Sequence, residues 1–291
     1  MKRHPVITFF LTIGFCFSLL LIYLIASVDD IGGGVSIPIG RNVAVIEVNG
    51  VIVSSKEIVN NIVAAKRNDN IKGVVVRINS PGGGVAPSQE IYGELKKLGK
   101  KKPVVASMSS VAASGGYYVA AAAKKIVANP GTLTGSIGVI MEFSNIEGLL
   151  EKVGLKSFVV KSGKYKDVGS PNRPMTDKEK EYIQQLVDSV HLQFVTAVAD
   201  GRSIDVASVK KIADGRILTG EQALELGLVD KLGSLNDSIS LVAEMAGIDG
   251  KPKPFVMEKE KGVLDYLLGK SFLDLIGGSF MAQLQYRADY L

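Results

Sequence analysis

Histidine, cysteine and tryptophan are nearly missing from this chain of 291 residues, which holds two histidines, one cysteine and no tryptophan. His4, His191 and Cys16 are too few for a zinc site built from nitrogen and sulfur ligands, so no metal is expected. A single cysteine forms no intramolecular disulfide, and cysteine usage therefore says nothing of redox compartment. Any serine nucleophile that relied on a histidine base would have to use His191, because His4 lies in the extreme N-terminal tail. Aromatic residues make up only 7%, and the 34 Lys and Arg against 29 Asp and Glu are scattered rather than massed, which argues against a nucleic-acid partner. No nucleotide cofactor is indicated either. The triplet Gly82, Gly83, Gly84 is not followed by the Lys-Ser/Thr of a phosphate-binding loop, and it is not a G-x-G-x-x-G fingerprint. Internal repeats and low-complexity tracts are absent.

One long apolar run is present. Residues 6–28 carry no charge, follow a basic start at Lys2 and Arg3, and end at Asp29 and Asp30. About 20 apolar residues suffice to span a hydrocarbon core as a helix. A cleaved secretory signal is the alternative, but its apolar region is usually shorter, and no clear A-x-A cleavage site follows. The expectation is an uncleaved anchor in membrane lipid, with the N-terminus cytoplasmic and the rest of the chain extracytoplasmic. This gives an anchor over residues 1–30, a glycine-bearing linker over 31–41, a catalytic domain over 42–250 and an amphipathic helical extension over 251–291.

From residue 42 the pattern alternates between strand and helix. Apolar runs at 43–48, 74–78 and 104–108 read as buried strands, and 126–128 and 136–141 as shorter ones. Helices are predicted from Ser54 or Ser55 to about Arg67, over 87–98 and over 114–123. A longer helix over 177–198 carries Ile183, Leu186, Val187, Val190 and Phe194 on one face. Further helices are predicted at 206–213, 220–226 and 235–246. Repeated βαβ units imply an α/β fold with a parallel sheet.

The sequence Ala113-Ser114-Gly115-Gly116 falls at a strand-to-helix junction. A serine there either exposes its hydroxyl beside free backbone N–H groups or merely caps the helix, and the segment alone favours the cap. The α/β-hydrolase elbow G-x-S-x-G is absent. His191 lies mid-helix beside an apolar stripe and is a weak candidate for a base. A lysine base is the other option. The S-x-x-K spacing at Ser208 to Lys211 lacks its companion motifs and reads as chance.

Five segments in order decide among these readings: INSPGGG at 78–84, ASGGYY at 113–118, TGSIGV at 134–139, GKYKD at 163–167, and ADGRILTG at 213–220 continuing as ALELGLVDKLG at 223–233. Together they resemble the signal peptide peptidase A family, whose fold is related to the Clp protease and crotonase superfamily. The resemblance implies a membrane-anchored serine endopeptidase with a Ser-Lys dyad: Ser114 as nucleophile, Lys166 rather than Lys164 as general base, and Ser136 as the residue that orients the amine. The backbone N–H groups of Gly83 and Gly115 are implied as the oxyanion hole, by analogy with Clp protease. No cofactor is implied. The substrates would be hydrophobic peptides, signal peptides left in the membrane after signal peptidase cleavage, and the protein would be a homo-oligomer with contacts from residue 177 onward. A lysine base must be neutral to work, so the adjacent Asp167 is expected to point its carboxylate away. Two rivals share the fold: a crotonase-type acyl-CoA enzyme and a catalytically inactive membrane scaffold.

Overall fold

Three valine-rich runs lay down the centre of the sheet. The computed structural model describes residues 41–257, together with Gly14, Phe15 and Ser18. Strands β1 (Val43–Asn49), β2 (Gly73–Ser80) and β3 (Val104–Ala113) pair side by side in parallel. β-Branched side chains suit a pleat covered on both faces. Parallel neighbours need crossovers, supplied here by helices α1 (Lys56–Arg67) and α2 (Val85–Gly99).

β3 forks the sheet. Its first half, residues 105–107, pairs with β4 (Lys125–Ala128), and its last three residues pair with β5 (Leu133–Gly135). The short helix α3 (Gly115–Ala120) connects β3 to β4. β6 (Ile217–Thr219) joins β5 antiparallel, while β7 (Lys231–Leu232) joins β4 and β8 (Pro254–Val256) joins β1, both in parallel. The main path is β6-β5-β3-β2-β1-β8, with β4 and β7 on a branch.

The remaining helices among the described residues are α4 (Glu147–Lys152), α5 (Asp177–Arg202), α6 (Val206–Ile212), α7 (Gly220–Glu225) and α8 (Leu235–Met245). Val43, Val45, Val75, Val105 and Val127 form one buried cluster with Ile239 and Val242 of α8. Each such side chain contributes roughly 1.5–3 kcal/mol on burial.

Several expectations need correction. The strand expected at 136–141 lies three residues earlier, at Leu133–Gly135, and residues 136–146 are irregular. Ser136 has φ 49°, which turns the chain off the strand at that point. Ser55 stands at the N-cap of α1 but makes no capping hydrogen bond, because its hydroxyl donates to Glu90. In α5 the expected apolar face is covered only in its second half. Phe194, Val195 and Val198 are buried, whereas Leu186 is exposed. Residues 254–256, assigned from sequence to a helical extension, are strand β8. Among the described residues no helix is long and apolar enough to cross a membrane. The predicted span at 6–28, apart from the three positions named above, and the tail from 258 onward lie outside the described residues.

Candidate active site

Ser114 ends β3 and opens α3. It stands at the N-cap with φ 51° and ψ −120°, and its side chain makes no capping hydrogen bond. The bland role considered for it is therefore not the one it plays. A non-glycine residue at positive φ costs about 1–3 kcal/mol and persists only where its surroundings enforce it. Here the Ser114 N–H donates to the Gly135 carbonyl at 2.9 Å, and the Ser114 carbonyl accepts from the Tyr118 N–H at 2.9 Å. Among the described residues only Ser114, Ser136 and Ser203 are non-glycines with positive φ. Two of these three are the serines singled out from sequence.

The glycine loop explains its own composition. A Cβ at Gly82 would lie 2.6 Å from the Gly115 nitrogen and 2.9 Å from Ser114 Cβ, and one at Gly83 would lie 2.4 Å from the Ile52 carbonyl oxygen. Both have positive φ, 103° and 156°. Only glycine lets this loop approach Ser114 so closely. Ile52 donates its N–H to the Gly82 carbonyl and accepts from the Gly84 N–H. That bridge leaves the Gly83 N–H outside it.

Gly83, Ser114 and Gly115 line one pocket, of about 310 Å³ of empty space counting its open mouth. Its walls are Val85 and Ser88 of α2, Tyr118 of α3, Val190 and Phe194 of α5, and Gly138 and Val139 of the irregular segment. The Tyr118 ring is braced on both sides, edge-on to Tyr92 at 5.1 Å and tilted against Phe194 at 4.8 Å. Burial pushes the Tyr118 phenol above its ordinary range, so it stays neutral at physiological pH. The pocket is lined by Ser114, by Ser88, whose hydroxyl donates to the Gly84 carbonyl, by backbone at Gly83 and Gly115, and by a mostly apolar wall. That combination suits a nucleophile facing an apolar side chain.

Ser136 follows Gly135, whose register partner on β3 is Ala113, so Ser114 and Ser136 leave neighbouring strand ends. The Ser136 N–H donates to the Arg216 carbonyl at 2.8 Å. Lys166 lies on a turn at 163–169, is exposed, and is not among the pocket-lining residues. Among the described residues its side chain makes no hydrogen bond or ion pair. The structure thus brings Ser114, Gly83 and Gly115 together in one pocket, while Ser136 and Lys166 are not among the residues that line it. Asp167 does turn to other partners. Its carboxylate accepts from Arg173 Nε at 2.9 Å and from Lys161. His191 does not line the pocket, and its buried Nε2 has no hydrogen-bond partner among the described residues. Among these residues no cluster of His, Cys, Asp and Glu could hold a metal ion.

Sequence reasoning did not single out the walls. Tyr118 sits inside the ASGGYY segment and Phe194 in the apolar stripe of α5, but nothing in either says that they meet. The Arg173 fork was also missed, although Thr176-x-x-Glu179 is a readable capping box.

Known families and relatives match most of the chain. The model for Peptidase family S49 matches residues 96–249, and the one for Clp protease matches residues 44–132. A Synechocystis sp. protein, provisionally named a protease, is 48% identical over 210 residues, covering 72% of this chain and 76% of that one. Protease 4 of Salmonella typhi is 34% identical over 255 residues, covering 84% of this chain and 40% of that one. Serine protease SPPA, chloroplastic, of Arabidopsis thaliana is 35% identical over 210 residues, covering 72% of this chain and 31% of that one. Among solved structures, a mutant of the 1510-N membrane-bound stomatin-specific protease superposes with a TM-score of 0.50 at 17% identity, covering 76% of this chain and 99% of that one. That likeness speaks to the fold alone. With one family model spanning more than half of the residues, the chain belongs to peptidase family S49, the family of signal peptide peptidase A and protease 4.

Proposed function

We propose that this protein is a membrane-anchored serine endopeptidase that cleaves hydrophobic peptides, among them signal peptides left in the membrane. The observation that carries the reading is Ser114, held at positive φ with its hydroxyl uncommitted, in a pocket shared with Gly83 and Gly115. In the proposed reaction Ser114 Oγ attacks the scissile carbonyl and gives its proton to the neutral amine of Lys166. The Gly83 and Gly115 N–H groups receive the developing oxyanion, an effect of about 3 kcal/mol per donor in other proteases. The protonated lysine then hands its proton to the leaving amine. Water, activated by the same lysine, hydrolyses the acyl-enzyme and restores the serine. Ser136 orients the amine. The apolar walls at Val139, Val190 and Phe194 favour an apolar substrate side chain.

The dyad requires the Lys166 amine to meet Ser114 Oγ, within one chain or between two copies of it. A homo-oligomer fits the apolar residues exposed on that segment and on α5, including Ile140, Phe158, Val160 and Leu192. In the proposed layout residues 1–30 anchor, 31–41 link, 42–257 carry the peptidase, with β8 completing its sheet beside β1, and the residues after 257 extend it. The testing experiment is fluorophosphonate labelling of the full chain beside hydrolysis of a hydrophobic fluorogenic peptide. Label on wild type that is lost in Ser114→Ala supports the reading; label or hydrolysis that persists sinks it. Activity recovered on mixing Ser114→Ala with Lys166→Ala would show that the lysine comes from a second copy. Turnover of an acyl-CoA with no peptide hydrolysis would favour the crotonase-type rival.

A further inference from the structure

The turn that carries Lys166 is pinned on both sides of that residue. Before it, the Tyr165 ring stacks on Tyr182 of α5, with centroids 5.0 Å apart. After it, Asp167 meets the Arg173 guanidinium. Nε donates to the Asp167 carboxylate at 2.9 Å, while Nη1 and Nη2 donate to the two Glu179 oxygens at 2.9 and 2.6 Å. Nη1 also donates to the Pro174 carbonyl at 3.0 Å, and Nη2 to the Asp167 backbone carbonyl at 3.4 Å. Glu179 is 4% exposed and belongs to the capping box of α5, accepting from the Thr176 N–H and hydroxyl at 2.9 Å each. The other Asp167 oxygen accepts from Lys161. Both carboxylate oxygens next to the proposed base are therefore engaged elsewhere.

We propose that Arg173 is a positioning residue for the lysine base: it clasps Asp167 to the first turn of α5, fixing the Lys166 turn and keeping the neighbouring carboxylate off the amine. This deepens the dyad reading and rests on it. The planar guanidinium suits the task, because one rigid fork serves two carboxylates where an ammonium would act as a single point charge. The titration of the partners agrees with the geometry. Hydrogen bonds from Arg173 and then from Lys161 hold the Asp167 carboxyl far below its ordinary range. Arg173 and then the Thr176 backbone hold that of Glu179 down to about 2. The charged and titratable groups in contact on this turn are Lys161, Lys164, Asp167, Arg173 and Glu179, with the phenols of Tyr165 and Tyr182. Asp167 is the one carboxylate adjacent in sequence to Lys166, and a carboxylate within reach of an amine favours its charged, non-basic form.

The test is the pH–rate profile of the full chain on a leucine- and alanine-rich fluorogenic peptide, for wild type, Arg173→Gln, and Arg173→Gln combined with Asp167→Asn. Arg173→Gln should move the pH of half-maximal activity upward by about one unit, losing about tenfold near neutrality while keeping most of the alkaline plateau. The double variant should bring the profile back toward wild type. An unchanged profile in Arg173→Gln overturns the proposal. So does a loss that is equal at every pH, or one that Asp167→Asn fails to reverse. If Arg173→Gln does not fold, Arg173→Lys, which keeps the charge without the fork, should show the same shift in smaller measure; if neither folds, the clasp is purely structural and the proposal falls. Lys166→Ala in the same assay separates the two levels. Full activity there removes the dyad itself, whereas a dead Lys166→Ala beside an unshifted Arg173→Gln removes only the clasp.

Discussion

At Ser114 the backbone itself is part of the argument, since a serine that makes no cap and sits at positive φ does nothing evident for stability. Ser114→Ala should therefore leave thermal stability within about 1 kcal/mol. It should lower peptide hydrolysis at least about a thousandfold, read by initial rates and by loss of fluorophosphonate label. Lys166→Ala and Lys166→Arg should both abolish hydrolysis, because a guanidinium stays protonated at any working pH. Lys164→Ala should be mild, since that ammonium lies over the Tyr165 ring at 5.2 Å. Retention of activity in Lys166→Ala with its loss in His191→Ala would restore a histidine mechanism. Gly83→Ala is a separate probe. Its Cβ has no room against Ile52, so the loop must shift and the oxyanion donor with it, at a cost of about a hundredfold or more in kcat. The serine was visible in the sequence as a candidate, but its positive φ and its freedom from capping were not. The Ser114 backbone is held by the Gly135 carbonyl, which a neighbouring strand delivers.

Elements differ in how plainly the sequence announces them. β1, β2 and β3 are long apolar runs, and their burial matches their composition. β6, β7 and β8 have only two or three residues each and exist because a neighbour offers a paired edge, which no local pattern records. The stretch from Ser136 to Met141 looks like a strand because Ile137, Val139 and Ile140 are β-branched. In the fold Ile140 and Met141 are exposed and only Ile137 is buried. The start of α5 was readable for a sound reason, since Thr176 and Glu179 form a reciprocal capping box. Thr176→Ala should destabilise by about 1 kcal/mol, measured by chemical denaturation. Glu179 adds a pH signature. Its carboxyl is depressed in the folded state by Arg173 and the Thr176 backbone, so its contribution is fully present above the ordinary glutamate range and is lost as pH falls toward about 2. Acid unfolding of Glu179→Gln should therefore begin from a lower stability at neutral pH and show a shallower fall below about pH 4.3 than wild type. Parallel curves would count against a role for this carboxylate in acid stability.

For the whole molecule the proposed topology makes a direct prediction. Protease added outside intact spheroplasts should digest the domain beyond residue 41, and a C-terminal reporter active only in the cytoplasm should stay silent. A bright reporter would reverse the orientation. Light scattering on the chain should give a multiple of the monomer mass, and a monomer at every concentration would remove the assembly reading. The edge of the sheet carries a mechanical consequence. β8 lies parallel to β1, with Val43 opposite Pro254 and Val45 opposite Val256. Beside them Asn42 and Lys253 exchange hydrogen bonds at 3.2 and 2.8 Å, and Arg41 donates to the Pro254 carbonyl at 2.8 Å. Chain enters at the foot of one strand and leaves at the head of its parallel neighbour. Tension applied at residues 41 and 257 then loads this seam in shear, with all of its bonds strained together, rather than peeling them open one by one. A pull on the two ends is resisted first at β1 and β8, before it reaches the strands that hold Ser114.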